Sequence, residues 1–132
     1  MAELVHGVDL VEIERIESLL TSHGSQFLER VFTEDEQRYA ETSRNLRGER
    51  YAARFAAKEA VFKALKCGWA GGTAWTDIGV THEPGGAPCI SLGGRTAVIA
   101  KEQGISTWIV SLSHTRGLAM ASVIGVGSGS EN

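Results

Sequence analysis

Apolar and polar positions alternate in two different rhythms along this chain, helical in the first half and strand-like in the second. LVHGVDLVEIERI, residues 4 to 16, opens with dense, mostly β-branched apolar positions (Val5, Val8, Leu10, Val11, Ile13) that predict a buried strand over about 4–10. From about 12 to 22 the spacing becomes helical, with Ile13, Ile16, Leu19 and Leu20 on one face. In FLERVFTEDEQRYAET, Thr33 and Glu36 form a capping box that starts a second helix. NLRGER reads as a turn with Gly48 as a break, followed by a long helix from about 49 to 66. Beyond Gly68, WAGGTAW is a loop, TDIGVTHE a strand, EPGGAP a turn and CISLG a short strand. RTAVIAKEQG is a helix ended by Gly104, and ISTWIVSLSH and LAMASVIGV are strands joined by the tight turn TRG. The expected class is α+β, a mainly antiparallel sheet packed against a long helix, in a single domain over 1–132 with a frayed tail from Gly125.

The long helix, RYAARFAAKEAVFKALKCG, changes the picture most. Tyr51, Phe55, Phe62 and Leu65 share a stripe, while Ala53, Ala57, Ala60 and Ala64 lie nearly opposite. Both broad faces therefore read as buried, and the alanines predict close backbone packing against another element. Glu59, Lys63 and Lys66 lie along one edge, with Arg54 across the stripe.

Charge sharpens this. The formal net charge is −3, yet Arg44 to Lys66 carry a local +5. A basic segment in an acidic protein suits a small polyanion or an acidic partner and argues against long nucleic acid; a merely solvated helix face is the alternative. With 42% hydrophobic and 22% charged residues the composition is that of an ordinary folded domain. No apolar run reaches the ~20 residues of a membrane span and no signal-peptide pattern opens the chain. Cys67 and Cys89 lack metal-site spacing and predict reduced thiols in a cytoplasmic protein.

Asp9, inside an apolar strand, requires a cation, a set of donors or an exposed face. Glu59 and Lys63 are spaced to pair with each other on the helix. Asp9 and Glu59 together also make the carboxylate pair of a Mg²⁺ site completed by waters and phosphate oxygens. Arg54, Lys58, Lys63 and Lys66 would then hold a multiply phosphorylated ligand. Ser111, Ser113, His114 and Thr115 gather at a strand end, where such groups bind phosphate or simply satisfy a turn. His6, His23 and His82 have no comparable setting.

GVDLVEIERI, FAAKEAVFKAL, GGAP and VSLSHT, in that order, resemble the holo-acyl-carrier-protein synthases, the small 4′-phosphopantetheinyl transferases, over residues 5 to about 124. The resemblance implies transfer of phosphopantetheine from coenzyme A to a serine of apo acyl carrier protein, with release of adenosine 3′,5′-bisphosphate. It implies Mg²⁺ on Asp9 and Glu59, and catalysis by Glu59, Lys63 and Asp9. Lys63 would lie near the pyrophosphate and Arg54 near the 3′-phosphate. Lys58, Gly68, Pro88, Ser113, His114 and Thr115 would also contact the coenzyme. A homotrimer is implied, with GGAP and SLSHT facing a neighbour's Asp9 and Glu59, and a carrier of fatty acid or polyketide synthesis. Two departures stand out: Lys66 and Cys67 occupy positions of a glycine and a threonine, and the first helix carries Arg15 and Arg30 against Glu14, Glu17 and Glu29. A Mg²⁺-dependent phosphohydrolase and a non-catalytic coenzyme A-binding module are the competing expectations.

Overall fold

In the computed structural model, which describes residues 3–68 and 70–127, two elements touch backbone to backbone. Strand β1 (Leu4–Glu12) crosses a helix spanning Arg47–Leu65 at Gly7. A Cβ on Gly7 would stand 1.9 Å from the carbonyl oxygen of Ala60 and 2.9 Å from the nitrogen of Ala64. The alanines read from the sequence as close-packing residues serve that purpose: Ala56, Ala57 and Ala60 are wholly buried.

Around this crossing the chain runs β1, α1 (Ile13–Val31), α2 (Glu34–Ala40) and α3, the helix of Arg47–Leu65. Two short 3-10 turns, Ala70–Gly72 and Trp75–Asp77, lead to β2 (Ile78–His82), β3 (Pro88–Leu92), α4 (Gly94–Glu102), β4 (Ile105–Thr115) and β5 (Leu118–Gly127). One antiparallel sheet has the order β1-β5-β4, and β2 and β3 form a second antiparallel pair. The α+β class with a mainly antiparallel sheet is therefore the observed one. No helix among the described residues is long and apolar enough to cross a membrane.

Four local expectations change. The first helix does not stop at 22. It kinks at Gly24 (φ 50°, ψ −125°) and continues to Val31, because Phe27, Leu28 and Val31 pack against the core. Gly48 is not a break but lies inside α3, where a Cβ would meet the Glu17 carboxylate at 2.3 Å. Gly125–Gly127 extend β5 rather than fray, while 128–132 and Trp69 lie outside the described residues. Finally, β1 is not buried on both sides. Val5, Gly7, Asp9 and Val11 face α3, whereas Leu4, Val8 and Leu10 are exposed on the outer face with Ile109, Met120 and Ile124.

The capping box forms as read, and its carboxylate does more. Thr33 N–H donates to Glu36 Oε1 at 2.8 Å, and Glu36 N–H to Thr33 Oγ1 at 3.2 Å. Glu36 Oε1 also meets Lys58 Nζ at 2.8 Å with neither side chain exposed, and Oε2 accepts from Val80 N–H at 2.7 Å. Lys58 Nζ donates further to the carbonyls of Trp75 and Ile78. This cluster fastens α2 and β2 to α3.

Gly7→Ala should cost about 2–3 kcal/mol or more, since an added methyl in a close-packed crossing forces the two backbones apart. Urea denaturation reads this as a fall in midpoint at unchanged slope; an unshifted midpoint would remove the crossing as a constraint.

Candidate active site

The face of β1 turned toward α3 delivers Asp9 to the helix edge that carries Glu59 and Lys63. Asp9 is only 14% exposed, and its cation is Lys63, whose Nζ donates to Asp9 Oδ1 at 2.9 Å and to the Val8 carbonyl at 3.2 Å. Lys63 thus reaches across to the strand instead of pairing with Glu59 on its own helix. Burial pushes the Glu59 carboxyl above its ordinary value and the Asp9 charge pushes it further, with Lys63 and Arg15 opposing. The hydrogen bond to Asp9 raises the Lys63 ammonium in turn, against some desolvation.

Two carboxylates that repel one another beside a half-exposed ammonium suit a small hard divalent ion. The described residues hold no cluster of three or more His, Cys, Asp or Glu able to bind metal. Two carboxylates are a donor set that Mg²⁺ would accept, since that ion takes one or two carboxylates and fills its remaining positions with water and phosphate oxygens.

On the other flank of α3 a cavity of about 470 Å³ collects Arg54, Pro88, Ser113 and His114, four residues expected to meet a nucleotide. Arg54 is 3% exposed. Its Nη1 donates to the Arg50 carbonyl at 3.3 Å, its Nη2 to His82 Nε2 at 3.1 Å, and its guanidinium stacks 4.6 Å from the Tyr39 ring centroid. Its buried Nε has no hydrogen-bond partner. His114 stands 3.4 Å from Glu49. Thr115 lies next door, in a groove of about 720 Å³ that shares Glu49 and His114 with the cavity. Gly68 (φ 52°) lines neither space; it follows Lys66, the C-cap of α3, which adopts a left-handed conformation (φ 58°, ψ 35°).

Lys58 departs from the expected phosphate contact. Its ammonium is enclosed and consumed by Glu36 and two carbonyls, so a ligand in the cavity has no access to it. Its place on the helix carried the signal: it lies seven residues from both Tyr51 and Leu65, in the middle of the apolar stripe, where a lysine needs a buried partner.

Within one chain the two groups of residues stand apart. Asp9 pairs in register with Ala121 of the central strand, which pairs with Leu112 of β4, so the carboxylates sit at one edge of the sheet and the cavity at the other. None of Asp9, Glu59 and Lys63 lines the cavity.

The model of the 4′-phosphopantetheinyl transferase superfamily matches residues 6–122. The chain belongs to this superfamily. A holo-[acyl-carrier-protein] synthase of Gloeobacter violaceus is 47% identical over 121 residues, covering 92% of this chain and 91% of that protein. Among solved transferases, the holo-ACP synthase of Plasmodium yoelii superposes with a TM-score of 0.83 at 26% identity, over 98% of this chain and 99% of that one. The Helicobacter pylori holo-[acyl-carrier-protein] synthase, solved in complex with coenzyme A, gives 0.79 at 31% identity, over 91% and 98%. Several lining residues of this transferase's cavity escaped the sequence reading, among them Tyr39, Glu49, Arg50 and His82. Arg50 and Glu49 were visible as charges on the first turns of the long helix, but nothing local marks His82, whose partner Arg54 is 28 positions away.

In Asp9→Asn the Glu59 carboxyl should titrate lower than in the wild type while staying above its ordinary value, because burial persists when the neighbouring charge goes. Carbon-detected NMR titration of Glu59 measures this, and an unmoved midpoint would mean the two carboxylates do not face one site.

Proposed function

We propose that this protein transfers the 4′-phosphopantetheine group of coenzyme A to a serine of an apo acyl carrier protein, leaving adenosine 3′,5′-bisphosphate. The observation that carries this reading is the convergence of Asp9, Glu59 and Lys63, from two distant segments, in a chain of the phosphopantetheinyl transferase superfamily. The name of the Gloeobacter relative and the coenzyme A complex of the Helicobacter protein support it.

Asp9 and Glu59 would hold Mg²⁺, which supplies positive charge to neutralise the diphosphate as it reacts. The serine oxygen forms a bond to the β-phosphorus, and the bond from that phosphorus to the bridging oxygen breaks toward the nucleotide. Glu59 accepts the serine proton, directly or through a water. Lys63, ammonium toward the same spot, stabilises the leaving phosphate oxygen and donates a proton to it. Arg54, Ser113, His114 and Thr115 bind the nucleotide end, with Pro88 as an apolar wall and Gly68 near the end of the catalytic helix.

One coenzyme molecule touching both groups would draw them from different copies, since they lie at opposite sheet edges. The outer face of the sheet supports such assembly. Leu4, Val8, Leu10, Ile109, Met120 and Ile124 are 37% to 68% exposed there, an apolar surface of the kind that marks protein contacts. A homotrimer with shared sites is the arrangement we favour, in the cytoplasm, where Cys67 and Cys89 remain free thiols.

Incubation of an apo acyl carrier protein with this protein, coenzyme A and Mg²⁺ should add one phosphopantetheine, read by intact mass spectrometry. Release of the bisphosphate without any carrier would indicate hydrolysis instead. Asp9→Asn and Glu59→Gln should each lower the transfer rate roughly 100-fold or more with an intact fold, and chelation of Mg²⁺ should do the same. Asp9→Asn and Arg54→Gln, each inactive alone, should recover part of the activity when co-expressed; no recovery in mixed, folded assemblies would refute a site shared between copies.

A further inference from the structure

Beside Arg54, at the rim of the cavity, His82 makes an arrangement complete only when an anion is present. A guanidinium has donors alone, so His82 Nε2 must accept from Arg54 Nη2, and the ring proton resides on Nδ1. The ring is exposed at the end of β2 and rests on Tyr39, with centroids 4.5 Å apart. Arg54 and Arg50 face it from α3, both stacked on the same tyrosine. The buried Arg54 Nε is without a partner. Glu49 is the one carboxylate among the cavity's lining residues, and it stands by His114. The pocket therefore holds two guanidiniums and an imidazole, while the carboxylates nearby are engaged elsewhere, Glu49 with His114 and Glu36, which is also felt by Arg54, with Lys58.

We infer that His82 is a proton-taking phosphate ligand: when a phosphomonoester enters beside Arg54, the imidazole releases the Arg54 N–H, takes a proton on Nε2 and donates it to a phosphate oxygen. The inference rests on the reading of this cavity as the nucleotide half-site. In the free protein the proton is disfavoured, because burial and then the charges of Arg54 and Arg50 hold the imidazole below its ordinary value. A phosphate dianion reverses the electrostatic part of that effect and frees Arg54 Nη2 as a phosphate donor. The other charges facing the ring are few. Asp35 and Arg38 of α2 share a groove with it on the far side of Tyr39 and pair with each other at 2.6 Å. His114 and Glu49 lie across the cavity, Glu83 follows in the turn, and the cross-strand partner Pro88 is uncharged. Binding should accordingly take up a proton near neutral pH, and affinity should strengthen as pH falls from about 7.5 toward the histidine range.

Calorimetry of the full protein with adenosine 3′,5′-bisphosphate, in buffers of different ionisation enthalpy at one pH, counts the protons exchanged. Uptake should be present in the wild type, retained in His114→Gln and lost in His82→Gln, whose side-chain carbonyl still accepts from Arg54. Titration of the ligand's own phosphate cancels between wild type and variant. NMR titration of the His82 ring in the wild-type protein should show its midpoint rising when the bisphosphate is added. Equal uptake in His82→Gln, or an unmoved ring midpoint, overturns the proposal and leaves His82 as a positioning residue for Arg54. A wild-type protein that binds no bisphosphate would overturn the nucleotide half-site itself, and the proposal with it.

Discussion

Everything that distinguishes this site depends on a strand and a helix meeting without side chains between them. Gly7 lies against Ala60 and Ala64, and no residue with a Cβ fits at that point. Residues two apart on a strand share a face and lie about 6.6 Å apart. Gly7 pressed on the helix thus commits Asp9 to the helix side as well, within reach of Lys63 one turn beyond Glu59. A wider crossing would leave Lys63 too short for Asp9 and relieve the repulsion that raises Glu59. Precision in the polar site is inherited from contact between apolar backbones.

What could be read in advance was what is local or periodic. The Thr33–Glu36 box, the alanine face of α3 and the Arg116–Gly117 hairpin each state their geometry within a few residues. Asp9 announced that it needed a cation; which of several lysines would answer depended on where a strand 54 positions away settles. The charged residues were harder because a wheel assigns a face and not a depth. Arg54 and Lys58, one turn apart on the same helix, look alike in sequence, yet one lines a cavity and the other is sealed in the core. Gly48 reads as a helix breaker by propensity, whereas it lies inside α3 with the Glu17 side chain laid over it, a contact no local pattern shows. His82 depends wholly on tertiary contact.

The same limit explains β1. A run dense in apolar residues suggests a strand covered on both sides. One side is covered by α3; the other shows Leu4, Val8 and Leu10 to solvent, continuous across the sheet with Met120, Ile124 and Ile109. The pattern and the single chain agree once the outer face is taken as a surface awaiting a partner. Under the proposed function the separation of the acidic cluster from the cationic cavity points the same way, because one chain would then carry two partial sites.

The Glu36–Lys58 pair constrains how this interior can change over generations. One carboxylate caps α2, neutralises Lys58 and holds the amide of Val80, while the lysine also satisfies two carbonyls. An apolar pair of similar volume would be a sound core, often as stable as an ion pair or more so. Reaching it one substitution at a time passes through a chain with a stranded buried charge, several kcal/mol worse than either end. Drift is free to rework exposed positions away from the sites, but this knot of α2, α3 and β2 can be exchanged only by simultaneous replacement, so it behaves as a historical fixture of the lineage that carries it.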